Sequence, residues 1–442
     1  MKLFFPHSLW IENVLHIRVT FFLLVVIVCN PTSAWAQVND YPYMGSTFPF
    51  IQYHKNNLMF PGDSSDMQNF FKKMDQLVFQ GKGKINIVHM GGSHVQADII
   101  SGRVRERLSN FYPSNKGSRG MVFPYKVAGT NNPYNYVVNS TGKWEACKNT
   151  QRDKFCELGL TGISLTTRDT TSSISVSLKT DYYQAYDFNH IRLFHKSDSL
   201  MFSVFPVLMI DSSARYTIKT QTEKGITDIF FDHYYDNITL RFKKNDSLQW
   251  GYTLFGIQLE NPDPGITYHA IGVNGASTSS YLRCQLLPAH MREIKPDLVI
   301  MGIGINDAAG KEFDPLVFEY NYRKLIDSIR AASPGTAILL ITNNDSYKKY
   351  KRKYYVNKNG PVVRESMLKL AKEKNLAVWD FFTVMGGLES MEIWVKNGLG
   401  KSDRVHFTTP GYKLMGDLLF EALLKHYEYH VKRMYQTSSE KQ

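Results

Sequence analysis

The stretch KINIVHMGGSHVQADII, residues 84–100, changes its hydrophobic period around a single serine. Its first part, Lys84–Met90, has the pattern of a buried strand, and the pattern from Val95 to Leu108 is that of a helix. Ser93 lies between them, after two glycines and before a histidine. A serine at such a turn can cap the helix, and it can also serve as a nucleophile.

Strands and helices alternate again after residue 265. This alternation, with continuous apolar strands, is typical of a parallel sheet covered by helices. The predicted strands are residues 266–273, 298–304, 337–342 and 376–382, and the predicted helices are residues 277–294, 315–332, 362–374 and a last helix that begins at residue 410. Together with the first strand and helix, this part predicts an α/β domain.

The sequence between these two parts has a different composition and pattern. It consists of short runs rich in Thr, Ser, Val, Ile, Phe and Tyr with turn-rich gaps, a spacing that predicts an all-β sandwich. This pattern ends at the turn-forming ENPDPG of residues 260–265. We therefore predict a β-sandwich domain at residues 112–262, inserted into an α/β domain made of residues 37–111 and 263–442.

The amino terminus has the features of a secretory signal peptide. Lys2 and Arg18 precede an apolar run from Val19 to Cys29, and an Ala-x-Ala site follows at residues 34–36. The apolar run is shorter than the about 20 residues of a membrane span, although an uncleaved anchor is the alternative. We expect residues 1–36 to be removed and a protein without a membrane span to be exported, to the periplasm or beyond the cell.

The net charge of the chain is +12, and it becomes +11 when Lys2, Glu12 and Arg18 leave with the signal. In an exported protein this charge favours anionic wall polymers or membrane surfaces over nucleic acid as partners. Solubility alone also explains it. We predict no nucleic-acid partner.

Three cysteines remain after cleavage. Cys147 and Cys156 are close enough in sequence to close a small loop in an oxidising compartment, which would leave Cys284 unpaired. The chain has no Cys-x-x-Cys and no His-Glu-x-x-His. We therefore predict no metal site and no cofactor.

The candidate site residues follow successive predicted strands. Ser93 follows the first strand, Gly275 lies in GVNGAST after the second, and Asn306 lies in GIGINDA after the third. The segment SDRVHF, before the last helix, places Asp403 three residues ahead of His406. Because ligands bind at the carboxyl ends of parallel strands, these residues are expected to meet there. A serine, a base, an acid and oxyanion donors are the parts of an acyl-transfer site.

Each residue also has a structural alternative. Ser93 can be only a helix cap, and the histidine and aspartate can be an ordinary surface histidine and a turn residue. Asn306 and Asp307 can form an Asx turn. His94 and Asp98, beside the serine, are expected to support the turn. If Asp403 does not hold the histidine, the alternative carboxylate is Asp380 at the end of the fifth strand.

On these blocks, the chain resembles the SGNH (GDSL-type) hydrolase family. Ser93, Gly275, Asn306 and His406 match the four family blocks in chain order, and Asp403 matches the acid of the Asp-x-x-His block. The resemblance covers about residues 84–110 and 266–425. The chain departs from the family at the first block, where Gly92 replaces the usual Asp and His94 replaces Leu.

The resemblance implies a flavodoxin-like, three-layer α/β fold with a parallel sheet. It also implies that Ser93 is the nucleophile, His406 its base and Asp403 the acid that orients the histidine. The oxyanion hole would be formed by the backbone N–H groups of Ser93 and Gly275 and by the Asn306 amide.

A narrower resemblance is to the bacterial peptidoglycan O-acetylesterases, which carry a carbohydrate-binding-like β insert. It rests on the inserted β domain and on the segment MGGLESMEIWVKNGLGKSDRVHFTTPGY, residues 385–412. It implies an exported serine esterase that removes O-acetyl groups from a glycan such as peptidoglycan. Another acetylated polysaccharide, O-acetyl transfer and non-catalytic glycan binding are the alternatives. Because the insert separates the Ser93 and Gly275 blocks, we expect both of its ends near the catalytic edge of the sheet.

Basic residues alternate with tyrosines in NNDSYKKYKRKYYVNKNG, residues 343–360. Such a pattern can bind nucleic acid, but the expected export argues against that function. The remaining alternatives are a wall of the substrate cleft, where tyrosines stack on sugars, and a solvated loop. For Trp144 and Trp250 in the insert, we expect core packing rather than a sugar platform.

Overall fold

The computed structural model of the chain describes residue 43 and residues 47–112, 115–179, 186–207, 215–310 and 312–439. The predicted signal, residues 1–36, lies outside these ranges, so export stays a prediction. The chain from Phe48 onward forms one compact unit, which contains every element below. None of the helices in the described ranges has the length and hydropathy of a membrane span.

The described residues form nineteen strands and eleven α-helices. The strands are β1 (Leu58–Met59), β2 (Lys84–Gly91), β3 (Gly120–Val122), β4 (Tyr136–Thr141), β5 (Glu145–Lys148), β6 (Ile163–Thr167), β7 (Ser173–Leu178), β8 (Phe188–His195), β9 (Ser203–Val207), β10 (Tyr216–Gln221), β11 (Ile226–Tyr235), β12 (Asn237–Lys243), β13 (Tyr252–Glu260), β14 (Gly265–Gly272), β15 (Leu298–Gly302), β16 (Ala337–Ile341), β17 (Tyr347–Tyr350), β18 (Lys353–Val356) and β19 (Ala377–Trp379). The helices are α1 (Ser65–Gln80), α2 (Ser93–Gln96), α3 (Ile100–Ser109), α4 (Thr278–Tyr281), α5 (Leu287–Ile294), α6 (Ile305–Ala308), α7 (Pro315–Ala332), α8 (Asn359–Lys374), α9 (Phe381–Val384), α10 (Ser390–Lys396) and α11 (Thr409–Ser439).

The central sheet has six strands in the order β1-β19-β16-β15-β2-β14. All neighbours pair in parallel except the edge strand β1, which is antiparallel to β19. In chain order, the parallel strands stand as second, first, third, fourth and fifth, which is the flavodoxin-like order. Helix α11 packs against α1 and α3, and α7 packs against α5 and α8. The predicted three-layer α/β fold is confirmed.

Strand composition explains why this sheet forms the core. The side chains of β16, Ala337–Ile341, are all buried, as are those of Leu298 to Met301 in β15. A strand that is covered on both faces needs such a continuous apolar run. Both strands therefore lie in the middle of the sheet.

Several predicted elements differ in detail. The helix expected from Val95 to Leu108 is divided into α2 and α3, because Asp98 between them has φ 51° in the left-handed region. The helix expected over residues 277–294 is likewise two shorter helices, α4 and α5. Helix α1 and strand β1 were not predicted, and the hairpin β17–β18 was not predicted within the basic segment.

Two antiparallel sheets occupy the sequence between the two α/β parts. One contains β10-β11-β8-β13-β6-β5, with β3 also paired to β13, and the other contains β4-β7-β12-β9. All of these strands lie between Gly120 and Glu260, as the all-β prediction requires. Their buried side chains join those of the central sheet in one hydrophobic cluster. The domain boundaries themselves, residues 112 and 262, stay a prediction.

The ends of the insert correct our expectation. The chain enters and leaves the insert at the amino ends of the central strands: the Lys116 N–H donates to the Pro264 carbonyl at 3.1 Å, and Gly265 pairs with Lys84. The physical reason is that α3 returns the chain to this edge after β2, because the next parallel strand must begin there. The prediction that both ends lie near the catalytic edge was wrong.

The insert nevertheless reaches the catalytic edge with an internal segment. Strand β3 passes alongside β14, where the Met121 N–H donates to His269 Nδ1 at 3.1 Å. The Tyr125 hydroxyl then donates to the carbonyl of Gly272, the last residue of β14, at 3.0 Å. The following segment, residues 126–135, therefore lies beside the carboxyl ends of the strands.

Cys147 and Cys156 form a disulfide, and Cys284 is a buried free thiol. The disulfide that the sequence allowed between these two cysteines is therefore present in the structure. Burial raises the pKa of the Cys284 thiol to about 12, so this cysteine stays protonated at neutral pH.

Candidate active site

Ser93 is the first residue of α2 and directly follows the turn after β2. Space for a side chain is limited at the two glycines before it. A Cβ at Gly91 would lie 2.4 Å from Val95 Cγ2, and one at Gly92 would lie 3.0 Å from the amide nitrogen of Asn306. A side chain at position 92, where the family usually has Asp, would require the Asn306 amide to shift by a few tenths of an ångström.

His406 and Asp403 reach Ser93 from the other end of the chain. The Ser93 hydroxyl lies 2.8 Å from His406 Nε2, and His406 Nδ1 lies 2.9 Å from the Asp403 carboxylate. The His406 side chain is 34% exposed and that of Asp403 is 49% exposed. The three groups form a continuous hydrogen-bonded chain that water can reach.

The Asp403 carboxylate is held by its own turn. One of its oxygens accepts the backbone N–H groups of Val405 and His406, each at 2.9 Å. Burial opposes ionisation of Asp403, but these hydrogen bonds and the one from the His406 ring outweigh it and lower its pKa. Asp403 therefore stays an anion that fixes the orientation of the imidazole.

Asp380, the alternative carboxylate, has other partners. It accepts hydrogen bonds from the Arg364 guanidinium at 2.7 Å and from the Thr383 hydroxyl at 2.6 Å, and it caps α9. Asp403, and not Asp380, is the carboxylate bonded to His406.

Gly275 and Asn306 lie at the same edge. Gly275 has φ +80°, where a side chain would strain the backbone even though the space around it is open. The Asn306 side-chain amide donates to the Ala276 carbonyl at 2.9 Å, which fixes it between the Gly275 turn and Gly92. The structure thus brings all five predicted site residues to the carboxyl ends of the central strands.

Asp307 ties these two blocks together. Its carboxylate accepts the N–H of Thr278 at 3.2 Å and the Thr278 hydroxyl at 2.6 Å, at the start of α4. Burial raises the pKa of Asp307, although these hydrogen bonds oppose the shift. Asp307 thus links the turn that carries Asn306 to the helix that follows Gly275.

Sequence reasoning missed Gln96. Its side chain is 1% exposed. Gln96 Oε1 accepts the backbone N–H of Asn274 at 2.7 Å, and its Nε2 donates to the Thr130 hydroxyl at 3.0 Å and to the Asn131 carbonyl at 2.9 Å. It therefore connects α2, the turn that holds Gly275, and the insert. No local pattern marks such a residue, because its partners are remote in sequence.

Asp98 supports the turn, as expected, but through a buried ion network. Its carboxylate contacts the guanidinium groups of Arg105 at 3.1 Å and Arg119 at 2.6 Å and accepts the Asn135 amide at 2.8 Å. Burial opposes ionisation, but the two arginine charges outweigh it and lower the pKa of Asp98 to about 2. Arg119 and Asn135 belong to the insert, so this network also joins the insert to the turn after Ser93.

His94 lies next to His406, the proposed base. Its Nδ1 is 2.7 Å from the Tyr412 hydroxyl, and its ring centroid is 5.3 Å from that of His406. Burial, and then the neighbouring His406, lowers the pKa of His94 to about 3. His94 is therefore neutral at ordinary pH and places no second positive charge beside His406.

A small cavity of about 40 Å³ adjoins this part of the site, with His94, Ile305 and Phe381 in its wall. A space of this size holds only a few water-sized groups. Among the described residues, no three His, Cys, Asp or Glu side chains cluster as the ligands of a metal ion would.

The two insert tryptophans pack partly against other side chains. The Trp144 ring packs edge-on against buried Phe242, with centroids 5.2 Å apart. Trp250 Nε1 donates to Asp198 at 2.9 Å, and the Lys196 ammonium lies over its ring. Trp144 thus has the expected core contact, whereas Trp250 lies half-buried among charged groups.

Part of the chain matches a known protein family. Residues 246–414 match the model of the GDSL-like Lipase/Acylhydrolase family. The match includes Gly275, Asn306, Asp403 and His406 but begins after Ser93, which the insert separates from them. No curated protein matches the chain.

Among solved structures, one named "Peptidoglycan O-acetylesterase in action" matches with 21% identity and a TM-score of 0.68, over 84% of this chain and 99% of that one. An acetyl xylan esterase matches over 36% of this chain and 81% of its own, with 21% identity and a TM-score of 0.29. A lipase/acylhydrolase from Enterococcus faecalis matches over 36% of this chain and 75% of its own, with 20% identity and a TM-score of 0.28. Part of this chain thus matches the GDSL-like hydrolase family, and the chain has an SGNH-type fold similar to that of the peptidoglycan O-acetylesterase structure.

Proposed function

We propose that this protein is an exported serine esterase that removes O-acetyl groups from a glycan, with peptidoglycan as the first candidate. The family domain and the fold support hydrolysis of an acyl ester. The observation that carries the catalytic assignment is the chain of contacts from Ser93 Oγ to His406 at 2.8 Å and from His406 to Asp403 at 2.9 Å.

In the proposed reaction, Ser93 Oγ attacks the acetyl carbonyl while His406 Nε2 takes its proton. Asp403 holds the imidazole by Nδ1 and stabilises the imidazolium that forms. His406 then gives the proton to the sugar oxygen, which leaves as an alcohol. Water, activated by the same histidine, hydrolyses the acetyl-serine and releases acetate.

Negative charge develops on the carbonyl oxygen during both steps. The proposed donors are the backbone N–H groups of Ser93 and Gly275 and the Asn306 amide. Loss of one such donor typically costs about 3 kcal/mol of transition-state stabilisation. The Asn306 amide is already positioned by its bond to Ala276, so little reorganisation is needed when the charge forms.

One observation favours water as the acceptor. The His406 and Asp403 side chains are 34% and 49% exposed. Such access favours hydrolysis over transfer to a sugar hydroxyl, which requires that water be excluded.

The position of the β insert supports the proposal that the substrate is a glycan. A segment of the β insert lies at the catalytic edge, where Gln96 and Asn274 bond to its residues Thr130 and Asn131. A polymer bound at Ser93 would extend along this segment. The neighbour with a TM-score of 0.68 is itself named as a peptidoglycan O-acetylesterase.

Acetate release from a panel of acetylated polymers tests this proposal. We expect release from O-acetylated peptidoglycan by the wild-type protein and less than about 1% of that rate from a folded Ser93→Ala variant. A fluorophosphonate should label the wild-type protein at Ser93 only. If neither acetate release nor labelling occurs, the protein is a glycan-binding module. If the acetyl group is transferred to an added sugar and no acetate is released into solution, the protein is a transferase.

A further inference from the structure

The basic segment identified in the sequence forms a β-hairpin. Strands β17 and β18 pair antiparallel from Tyr347 opposite Val356 to Tyr350 opposite Lys353. The turn is made by Lys351 and Arg352, with φ 44° and 67°. Such turns normally use Asn and Gly, because two positive φ values disfavour other side chains. This hairpin, Tyr347–Val356, thus keeps two cations at its tip despite the backbone strain.

The hairpin is anchored on both sides of the candidate site. On one side, Lys348 Nζ donates to the Gly310 carbonyl at 2.7 Å, in the loop that follows the Asn306 block. On the other side, the Tyr347 N–H donates to the Arg404 carbonyl at 3.0 Å, next to Asp403. The Arg404 guanidinium also lies over the Tyr354 ring, 4.2 Å from its centroid. The hairpin therefore bridges the turns that carry the oxyanion amide and the acid.

Its charge is of one sign. Four cationic side chains at and beside the tip of the hairpin are exposed: Lys349, Lys351, Arg352 and Lys353. Among the described residues none of these four forms an ion pair, and two acidic residues near the base of the hairpin have other partners: Glu392 pairs with Arg404, and Glu365 pairs with Arg364. The hairpin thus presents a concentrated positive field at the rim of the site.

Two tyrosines are exposed on one face of the same ribbon. Tyr350 is 62% exposed and Tyr355 is 52% exposed. Their cross-strand partners are Lys353 and Lys348, so the face alternates between rings and ammonium groups. Exposed rings offer flat apolar surfaces for sugar rings, and the exposed Lys353 ammonium group on the same face is able to bind an anion.

We propose that the hairpin Tyr347–Val356 binds the carboxylates of an acidic acetylated glycan and so delivers its ester to Ser93. The inference rests on the proposed function and narrows its substrate class. A neutral glycan would require the stacking face but not four exposed cations. A nucleic acid would match the charge but offers no acyl ester to the neighbouring serine.

The test compares two triple variants of equal charge. The hairpin variant is Lys349→Gln/Lys351→Gln/Lys353→Gln. The control is Lys82→Gln/Lys295→Gln/Lys372→Gln, which removes three exposed lysines that precede β2, β15 and β19, at the opposite edge of the sheet. The substrates are soluble O-acetylated peptidoglycan fragments, the same fragments with their carboxylates amidated, and p-nitrophenyl acetate.

We expect the hairpin variant to raise KM for the unmodified fragments about tenfold at low salt, since each exposed charge pair contributes little alone. High salt should abolish the difference because it screens exposed charges. On the amidated fragments and on the aryl acetate, the hairpin variant should have the same KM as the wild-type protein. The control variant should have the wild-type KM on all three substrates. Equal losses on amidated and unmodified fragments, or equal losses in the control variant, would overturn the inference.

Direct binding separates this inference from the esterase proposal. Titration of de-O-acetylated fragments into the wild-type protein measures carboxylate binding even if no ester is hydrolysed. Weaker binding by the hairpin variant alone supports the inference. Tighter binding of a single-stranded oligonucleotide or of anionic lipid vesicles than of the fragments would contradict it.

Discussion

Gln96 Oε1 accepts the backbone N–H of Asn274 at 2.7 Å, directly before the Gly275 turn. The residue three positions after Ser93 thus holds the backbone that carries one proposed oxyanion donor. Its Nε2 group binds Thr130 and Asn131, so the insert shares in this support. The insert therefore helps to position the catalytic edge and is not merely attached to it.

Replacement of Gln96 by leucine should lower kcat for a small aryl acetate. The change removes the acceptor of the Asn274 N–H, and the turn can then relax and displace the Gly275 N–H. A partial displacement that costs about 1.4 kcal/mol lowers kcat about tenfold, with little change in KM. Gln96→Glu keeps the acceptor for Asn274 but sets a carboxylate oxygen against the Asn131 carbonyl, so it should recover only part of the loss. A folded leucine variant with wild-type kcat would exclude this positioning role.

Substitutions of Ser93, His406 and Asp403 should lower kcat to different extents. Ser93→Ala and His406→Ala should abolish ester hydrolysis, whereas Asp403→Asn should lower kcat about a hundredfold or more, because the wrong tautomer of His406 is then favoured. Asp380→Asn is the matched control, since Asp380 bonds to Arg364 and Thr383 instead. Steady-state kinetics on p-nitrophenyl acetate give the comparison. If Asp380→Asn proves as damaging to kcat as Asp403→Asn, the assignment of the acid fails.

Asp98→Asn should be strongly destabilising. It would leave the buried Arg105 and Arg119 guanidinium groups without their anion, and loss of one partner in a buried pair typically costs about 3–5 kcal/mol. Glu373→Gln, which breaks a half-exposed pair with Arg323, should cost less than about 1 kcal/mol. Urea unfolding of both variants measures the difference. Equal small losses would mean that the network contributes little.

The pKa of Asp98 also sets the direction of its pH dependence. Its folded value of about 2 lies below the ordinary 3.8, so its stabilising contribution is fully present above pH 3.8 and is lost as the pH falls towards 2. The destabilisation caused by Asp98→Asn, measured by urea unfolding, should therefore shrink over this interval. A constant difference down to pH 2 would contradict the low pKa.

Buried neutral histidines should make the fold sensitive to mild acid. Burial lowers the pKa of His89, His94 and His290 to about 3 and that of His269 to about 4. Below pH 6.5 the unfolded chain binds protons that the folded chain does not, so stability is lost as the pH falls below 6.5. Each such histidine contributes up to about 1.4 kcal/mol per pH unit.

His290→Gln tests this contribution, with exposed His54→Gln as the control. The slope of unfolding free energy against pH between 6 and 4 should fall by about 1.4 kcal/mol per unit in the first variant, and not in the second. Denaturant titrations at several pH values give the slope. An unchanged slope in a folded His290→Gln variant would show that this histidine is protonated in the native state.

The sequence by itself determined the class of fold and the candidate residues. The periods of β2, β14, β15 and β16 are local properties, and they predicted a parallel sheet with an all-β insertion. The spacing of Ser93, Gly275, Asn306, Asp403 and His406 at successive strand ends predicted a meeting point, which the structure shows. Their catalytic roles remain a proposal for experiment.

Only the tertiary structure decided how the insert relates to the site. The sequence suggested that its ends emerge near Ser93, but α3 carries the chain to the opposite edge first, and an internal segment returns. Gln96 and Asp98 acquired their importance from partners more than twenty residues away, such as Arg119 and Asn274. Local periodicity reports which face of an element is buried, whereas hydrogen bonds and ion pairs between remote segments form only when the chain is packed, so no local pattern could reveal them.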